Sequence, residues 1–215
     1  MDYRPFFISL EVAVWSTFVT FFLGLFLANF VYKLKRGKVV FDTIFTLPMI
    51  LPPTVVGFFL LSVFGRNSPV GGFLHDIGIT IVFTRLGAII ASIFVSFPLM
   101  YRTACGAFEQ IDQNIINAAK TLGLSDTKIF WKIKIPMAKG GILAGTALSF
   151  SRALGEFGAT IIIAGNIPGS TQSMSIAVFS AVSAGNRELA HMWVIILSLM
   201  SFIVILIINK YSRSR

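Results

Sequence analysis

Two ionisable residues, Arg152 and Glu156, lie four positions apart within the otherwise apolar stretch SFSRALGEFGAT. On a helix, this spacing places both side chains on one face, where they can form an ion pair. Ionisable groups inside an apolar span are costly and usually face a cavity or a partner. The pair is therefore either a structural salt bridge at a close helix–helix contact, which Gly155 and Gly158 would allow, or the polar lining of a path through the protein.

A second unusual stretch, LPMILPPTVVG, carries three prolines close to a threonine hydroxyl. Prolines within a span free backbone carbonyls and kink the helix. The stretch is either an ordinary kink, with only Pro48 inside the helix, or a gate whose kink exposes carbonyls and Thr54 to a path. If both stretches line such a path, its candidate residues are Pro52, Pro53, Thr54, Arg152, Glu156 and Thr160.

The polar loop, residues 109–137, is the longest polar stretch in the chain. Its first part, EQIDQNIINAAKTLGL, has apolar residues at helical spacing, and Gly123 fits a helix C-cap. Ser125 can begin a second helix, SDTKIFWKIKI, which we expect to end before Pro136. We therefore predict two short helices that lie along the inner face of a membrane.

The spacing within the polar loop distinguishes two roles. An amphipathic helix resting on anionic headgroups would account for the lysines and the helicity. It would not account for a glycine and a proline placed 13 residues apart beside an alanine pair. Small side chains and a glycine turn let a short helix insert closely into a protein groove, so we favour docking onto a partner protein. The candidate docking residues are Asn117, Ala118, Ala119, Lys120, Gly123, Leu124 and Pro136.

The elements that position these residues are apolar helices. Of the 215 residues, 55% are hydrophobic and 13% are charged, which is about half the charged fraction of a soluble domain. The mean hydropathy of +0.83 indicates a chain that is solvated by lipid. The N-terminal apolar run meets a basic cluster, as a retained span does, and does not end at a cleavage site. We predict one domain, residues 1–215, with spans at about 6–32, 44–64, 86–108, 138–164 and 189–208.

Basic residues are distributed unevenly between the two sides of these spans. With the N-terminus outside, the inner segments hold 13 of them, namely Lys33, Lys35, Arg36, Lys38, Arg102, Lys120, Lys128, Lys132, Lys134, Lys139, Lys210, Arg213 and Arg215. The outer segments hold 4, namely Arg4, Arg66, Arg85 and Arg187. Because basic residues accumulate in cytoplasmic loops, we predict a multi-pass protein of the plasma (inner) membrane with its C-terminus in the cytoplasm. The cytoplasmic placement of the basic residues then explains the net charge of +9, and we predict no nucleic-acid partner.

Several chemical functions are disfavoured by what the sequence lacks. The single cysteine, Cys105, excludes an internal disulfide and a Cys-rich metal site. His75 and His191 are isolated and have no metal-ligand spacing. No G-x-x-x-x-G-K-S/T motif is present, so the chain does not itself cradle ATP phosphates. No Ser/His/Asp or Cys/His constellation can be assembled. We therefore predict no catalytic residues, no metal site and no cofactor on this chain.

Several strings resemble the permease subunits of ABC importers. NAAKTLGLSDTKIFWKIKIP has the spacing of their cytoplasmic motif, which reads EAA, three residues, Gly, nine residues, Ile, one residue and Leu-Pro. Asn117 stands where that motif has Glu, and Ile135 stands where it has Leu. LPMILPPTVVGFFLL, FPLMYR and SRALGEFGATIIIAGNIPGSTQS are similar to the molybdate branch of this family, over about residues 6–209.

The resemblance implies an all-α polytopic membrane protein with the type I permease fold and cytoplasmic coupling helices. It implies a homodimer of this subunit, two cytoplasmic ABC ATPase subunits that bind ATP and Mg²⁺, and an external binding protein that delivers the oxyanion. It also implies that the polar loop is the lever that docks into the ATPase subunit. Tungstate and sulfate permeases are near relatives, so the identity of the anion stays open here.

Two other classes of membrane protein remain as alternatives. A stand-alone secondary carrier or channel would be expected to show two repeated halves with broken helices, and we find no internal repeat. A structural scaffold would have no ATP-hydrolysing partner. In an importer of a tetrahedral dianion, Arg152 could offset the charge in a dry path, but Glu156 would cancel that benefit. We therefore expect substrate specificity to lie mainly with the binding protein.

The charge asymmetry generates a first prediction, which concerns the orientation of the chain. We expect a cysteine introduced at Asp2 to react with a membrane-impermeant thiol reagent added to intact cells, and a cysteine at Ser214 to react only after the cells are opened. Labelling of the Ser214→Cys variant from outside intact cells would contradict the predicted topology.

Overall fold

The computed structural model describes residues 2–34 and 36–213; Lys35 and Arg215 of the charge tally, and the labelling position Ser214, lie outside them. Every regular element in this part of the chain is helical, which confirms the predicted all-α class. In chain order the elements are α1 (Arg4–Tyr32), α2 (Lys38–Ile50), α3 (Pro53–Phe64), α4 (Pro69–Asp76), α5 (Arg85–Glu109), α6 (Gln113–Thr121), α7 (Asp126–Ile129), a π-helix (Phe130–Lys134), α8 (Ile135–Met137), α9 (Lys139–Leu154), α10 (Gly158–Ile163), α11 (Met174–Ser183) and α12 (Arg187–Arg213).

Three of the described helices are long and apolar enough to cross a membrane: α1, α5 and residues Arg187–Leu206 of α12. At 1.5 Å per residue, the 29 residues of α1 extend about 44 Å, more than the hydrocarbon core of about 30 Å. The pair α2 and α3 would supply a fourth crossing if it is counted as one span. The apolar residues of the predicted fourth span, 138–164, are divided between α9 and α10.

The predicted second span, 44–64, is not one continuous helix. Helices α2 and α3 meet at an angle of 110°, with Leu51 and Pro52 extended between them, at ψ angles of 140° and 136°. A residue that precedes proline is pushed out of the α region, and two consecutive prolines impose this on two successive residues. Pro48 lies alone inside α2 and does not end it. The proline pair therefore makes a break between two helices and not an ordinary kink.

The predicted fourth span, 138–164, is also interrupted. Helix α9 ends at Leu154, Gly155 follows as its C-cap, and α10 begins only at Gly158. Glu156 therefore lies beyond the end of α9, in the break. The expectation that Arg152 and Glu156 share one helix face is wrong, although the two side chains still meet, with Arg152 Nη1 2.5 Å from Glu156 Oε2.

Helix α5 is the centre of the bundle and packs against α1, α9, α2, α10 and α3. Small residues let these helices approach closely, as is common between membrane helices. A Cβ at Gly24 of α1 would lie 2.6 Å from Met100 Cγ, and one at Gly141 of α9 would lie 2.6 Å from Ala107 Cβ. One apolar cluster, around Leu25, Tyr101 and Phe108, fills the end of the bundle that carries the polar loop. A second cluster, around Ile8, Val56 and Ile163, fills the opposite end.

The contact between α3 and α10 generates a second prediction. A Cβ at Gly57 would lie 2.7 Å from the carbonyl oxygen and 2.9 Å from the Cα of Ala159. Because a backbone cannot move aside as a flexible side chain can, we expect Gly57→Val to lower the free energy of unfolding by at least about 1–3 kcal/mol. The measurement is thermal unfolding of the purified protein in detergent.

Gly106→Ala is the matched control for Gly57→Val. A Cβ at Gly106 would meet no atom within 4 Å, and alanine favours a helix over glycine by about 1 kcal/mol. We therefore expect this variant to be at least as stable as the wild type. Equal stability of Gly57→Val and Gly106→Ala would contradict the close packing of α3 on α10.

Candidate functional site

The first helix of the polar loop is capped at both ends by its own sequence. At the start of α6, Asp112 Oδ1 accepts a hydrogen bond from the Asn114 backbone N–H at 2.8 Å. At its end, the N–H groups of Gly123 and Leu124 donate to the carbonyls of Lys120 and Ala119 at 2.9 and 3.1 Å, which is the Schellman arrangement. This geometry needs a left-handed residue, and Gly123 has a φ of +79°. The turn that the sequence predicts at Gly123 is therefore present.

The sequence predicts that the second helix of the polar loop ends before Pro136. This prediction is wrong, because the helical backbone continues past Pro136 to Met137. Ser125 Oγ accepts a hydrogen bond from the Lys128 N–H at 3.4 Å, and the helical backbone then runs through α7, the π-helix and α8. Within the π-helix, the Ile135 N–H donates to the Phe130 carbonyl, five residues back. The wider turn separates the preceding carbonyls from the proline ring, which would clash with one of them in an α-helix.

The two alanines predicted to dock together face opposite ways. Ala119 and Ile116 are buried in the loop-end apolar cluster, so Ala119 is not available to a partner. Ala118 faces outward with two larger apolar side chains, Ile115 and Leu122, which are 40% and 80% exposed. These three residues form an exposed apolar stripe along α6 and its C-cap residue, Leu122. Among the other candidates, Asn117, Lys120, Gly123 and Pro136 are exposed, and Leu124 is half-buried.

Charged side chains tie α7 to the end of α1. Lys33 Nζ lies 2.9 Å from Asp126 Oδ2, and Lys120 Nζ lies 3.8 Å from Asp126 Oδ1. The hydrogen bond from Lys33, together with its charge and that of Lys120, holds the pKa of the Asp126 carboxyl below its usual value. These pairs are exposed, so they orient the polar loop more than they stabilise the fold.

The break between α9 and α10 is organised around one carboxylate. Glu156 is 3% exposed; its Oε1 accepts a hydrogen bond from the Ala159 N–H at 2.7 Å, and its Oε2 lies 2.5 Å from Arg152 Nη1. The same side chain therefore satisfies a free N–H at the start of α10 and neutralises the cation at the end of α9. The Arg152 side chain remains 33% exposed, so one side of the pair reaches the surface of the bundle.

The breaks at the proline pair and at Glu156 lie next to each other. A Cβ at Gly158 would lie 2.9 Å from Pro53 Cβ and 3.5 Å from the Thr54 nitrogen. Thr54 is exposed, whereas Thr160 is buried and its hydroxyl has no hydrogen-bond partner in the described part of the chain. All six candidate path residues thus lie in the two adjoining breaks or in helices that begin or end there, namely Pro52, Pro53, Thr54, Arg152, Glu156 and Thr160.

At the opposite end of the bundle, the side chain of Arg85 joins three elements that the sequence does not connect. Its Nη1 lies 2.9 Å from Glu11 Oε2 of α1, and its Nε and Nη2 donate to the carbonyls of Ser170 and Gly169 at 2.9 and 3.3 Å. Arg85 and Glu11 are 74 positions apart, so no local pattern indicates their contact. The loop whose carbonyls accept these hydrogen bonds can be recognised in the sequence, because it is the Gly- and Pro-containing string GNIPGSTQ.

Comparisons with known proteins agree with this architecture. The family described as "Binding-protein-dependent transport system inner membrane component" matches residues 20–214. The chain is 40% identical over 210 residues to the putative molybdenum transport system permease protein YvgM of Bacillus subtilis (strain 168), covering 97% of this chain and 92% of that protein. It is 35% identical over 212 residues to the molybdenum transport system permease protein ModB of Escherichia coli (strain K12), covering 98% and 93%.

The fold is also that of a solved transporter. A chain of a bacterial ABC transporter involved in the import of the acidic polysaccharide alginate superimposes with a TM-score of 0.79 at 17% identity, over 98% of this chain and 78% of that one. At this identity, the likeness speaks for the fold alone. Because the family match covers most of the sequence and relatives at 35–40% identity match nearly its whole length, the chain belongs to the family of binding-protein-dependent transport system inner membrane components.

Proposed function

We propose that this chain is the membrane-spanning permease subunit of an ATP-driven importer, and that it passes molybdate delivered by an external binding protein. The observation that carries the proposal is the near full-length similarity to permeases that are named for molybdenum transport. The architecture supports it, because an apolar bundle bears one folded polar loop whose first helix presents an exposed apolar stripe. The protein is then a transport subunit and has no ATPase site of its own.

The polar loop would be the element that docks on the ATPase subunit and moves with it during ATP hydrolysis. Helix α6 would insert its exposed stripe, Ile115, Ala118 and Leu122, into a groove of a cytoplasmic ABC ATPase subunit that binds ATP and Mg²⁺. Asn117 and Lys120 would lie at the rim of that contact, and Gly123 would end the inserted helix. Docking by a short amphipathic helix in a groove is a common mode of recognition. It suits a helix whose other face is already buried against its own bundle.

The adjoining breaks of α3 and α10 would line the route of the anion. Broken helices within a membrane are tolerated where they are buried in protein or line a cavity, and they often surround a transported substrate. Arg152 brings positive charge to this region, but the contact with Glu156 neutralises most of it. A weak, transient site follows, and selection among anions would fall to the binding protein.

One copy of the chain does not enclose such a route by itself. Thr54, beside the break, is exposed on the single subunit, which supports a homodimer whose two copies face each other across the path. We further propose two ATPase subunits on the side of the polar loop, with the N-terminus outside and the C-terminus in the cytoplasm. This arrangement places the lysine-rich loop on the side where basic residues accumulate.

Reconstituted transport tests the proposed function directly. The permease, the ATPase subunit and the binding protein are placed in proteoliposomes, and uptake of labelled molybdate is measured with and without ATP. We expect uptake that depends on ATP and on the binding protein, and weaker competition by sulfate than by tungstate. Uptake without the ATPase subunit would instead indicate the stand-alone carrier, and preferential uptake of tungstate or sulfate would replace molybdate as the substrate.

The turn at the end of α6 generates a third prediction. A side chain at Gly123 would point into open space, because a Cβ there meets no atom of the chain within 4 Å. We expect Gly123→Trp to leave the bundle folded but to block docking, so that uptake falls and ATP hydrolysis no longer responds to the loaded binding protein. The measurement is the uptake rate and the stimulated ATPase rate of the same proteoliposomes.

Gly37→Trp is the matched control for Gly123→Trp. Gly37 has the same φ of +79° and equally open surroundings, so both variants carry the same backbone cost of about 1–2 kcal/mol. Gly37 precedes α2 and is not part of the polar loop. If both variants lose uptake equally, or if Gly123→Trp transports like the wild type, the assignment of α6 as the docking helix is wrong.

The buried carboxylate generates a fourth prediction. Breaking a buried ion pair typically costs about 3–5 kcal/mol, and we expect the lower end of this range because the Arg152 side chain is 33% exposed. Glu156→Ala should destabilise more than Glu156→Gln, since glutamine keeps an acceptor for the Ala159 N–H. The double variant Arg152→Gln with Glu156→Gln should recover part of the stability. Thermal unfolding in detergent measures this series.

Uptake by the same variants separates the two roles of the pair. Recovery of folding without recovery of uptake in the double variant would indicate that the pair also lines the anion route. Recovery of both would leave a structural salt bridge only. If Glu156→Ala and Glu156→Gln both fold and take up the anion normally, the pair is neither a structural salt bridge nor a lining of the anion route.

A further inference from the structure

Lys134, in the π-helix, is a buried cation that neither the family motif nor the docking stripe accounts for. It is 4% exposed, and among residues 2–34 and 36–206, whose side-chain burial is described, Lys134 and Glu156 are the two buried charged side chains. Its Nζ donates a hydrogen bond to Asn29 Oδ1 at 3.0 Å. The same nitrogen lies 4.0 Å from the centre of the Tyr32 ring and 5.8 Å from that of Phe108. The ammonium is thus held by an amide and two aromatic faces.

No carboxylate of the described residues pairs with Lys134. The groups around it are Tyr32 at the end of α1 and Lys33 just after it, Asp126 on α7, Lys120 on α6, and the Phe108 ring on α5. Burial and the charge of Lys33 lower the pKa of the Lys134 ammonium to about 8, and the carboxylate of Asp126 opposes this only in part. The folded protein therefore disfavours the charged form, and the hydrogen bond to Asn29 and the two aromatic faces offset part of the cost of burying it.

The contacts of Lys134 belong to a larger junction between the polar loop and the last turns of α1. The Tyr32 hydroxyl accepts a hydrogen bond from Gln113 Nε2, at the first residue of α6, while the ring of Tyr32 holds Lys134. Phe26 stacks on Phe130 of the π-helix, with ring centres 6.0 Å apart. Through Tyr32, the beginning of α6 and the end of the π-helix are fastened to the same residue of α1.

We propose that Lys134 is a positioning residue that fastens the polar loop to the end of α1, so that movement of the docked loop is carried to α1 as well as to α9. The inference rests on the proposed function, because it assumes that an ATPase moves the loop. The chain itself joins the loop only to α5 at one end and α9 at the other. The directional contacts of a buried cation provide the link to α1 that chain connectivity does not.

The first arm of the test measures the anchor without any partner. Hydrogen exchange of residues 113–134 is followed in the permease alone, in lipid nanodiscs. We expect Lys134→Met to speed exchange in this segment about tenfold, equivalent to about 1.4 kcal/mol, without lowering the thermal stability of the bundle. Lys132→Met is the matched control, because Lys132 is an exposed lysine of the same π-helix, and it should exchange like the wild type.

The pH dependence of exchange separates the cation from mere packing. In the wild type, exchange corrected for its intrinsic rate should slow between pH 7 and pH 9, because the closed loop releases the Lys134 proton near a pKa of about 8 while the opened loop still binds it, so that the closed loop gains stability. Lys134→Arg should restore slow exchange and remove this pH dependence, because arginine keeps its charge. If Lys134→Met fails to fold, Asn29→Leu, which removes the acceptor, serves as the second variant.

The second arm measures anions taken up per ATP hydrolysed by the reconstituted complex. We expect this ratio to fall severalfold in Lys134→Met and to recover in Lys134→Arg. Exchange in Lys134→Met at the wild-type rate would overturn the anchor. Faster exchange with an unchanged ratio would overturn the transmission to α1. A wild-type complex that hydrolyses ATP but carries no oxyanion would refute the proposed function, and the exchange measurement would still decide the anchor.

Discussion

Within a lipid environment, every backbone N–H and carbonyl must find its partner inside the protein, and the placement of the helix breaks follows from this constraint. The chain interrupts two apolar segments, at the proline pair and at Gly155–Phe157. The two breaks lie against each other, with Gly158 packed on Pro53. Glu156 supplies an acceptor for α10 that a continuous helix would have provided.

Glu156 links this backbone requirement to electrostatics. A carboxylate buried only to cap α10 would be an uncompensated charge, which is costly in a low-dielectric setting. Arg152, one turn earlier, provides the compensation. In the proposed anion route, the same contact would leave little free positive charge for binding. Such a route would suit passage better than tight binding, since a substrate that is held strongly leaves slowly.

The polar loop has two faces with different roles. Ile116, Ala119, Phe130 and Lys134 are buried against α1 and α5, whereas the stripe on α6 is exposed. The proposed docking role would use both faces, because a free surface would contact the partner and an attached surface would join the loop to the bundle. The π-helix belongs to the attached face, and its wide turn lets the helical backbone continue past Pro136 to Met137. Ala138 then separates this segment from α9.

Local sequence determined much of this protein. Composition and charge asymmetry predicted a helical membrane protein, and the hydrogen-bonding preferences of Ser125 and the freedom of Gly123 set the turn after α6. The segments that resemble ABC importer permeases indicated a permease, because each is a contiguous run of residues whose spacing reflects local structure. Local patterns could not predict that Ala119 is buried while Ala118 is exposed, because helical periodicity does not say which face of a helix the bundle covers.

Tertiary structure decided the contacts between residues far apart in the chain. Three such contacts join residues separated by 74 to 105 positions. They are the packing of the two breaks against each other, the ion pair of Arg85 with Glu11, and the contacts of Lys134 with Asn29 and Tyr32. Short-range spacing cannot encode such pairs. The course past Pro136 was likewise decided by packing, since burial of Phe130 and Lys134 holds a π-turn that the proline alone would not favour.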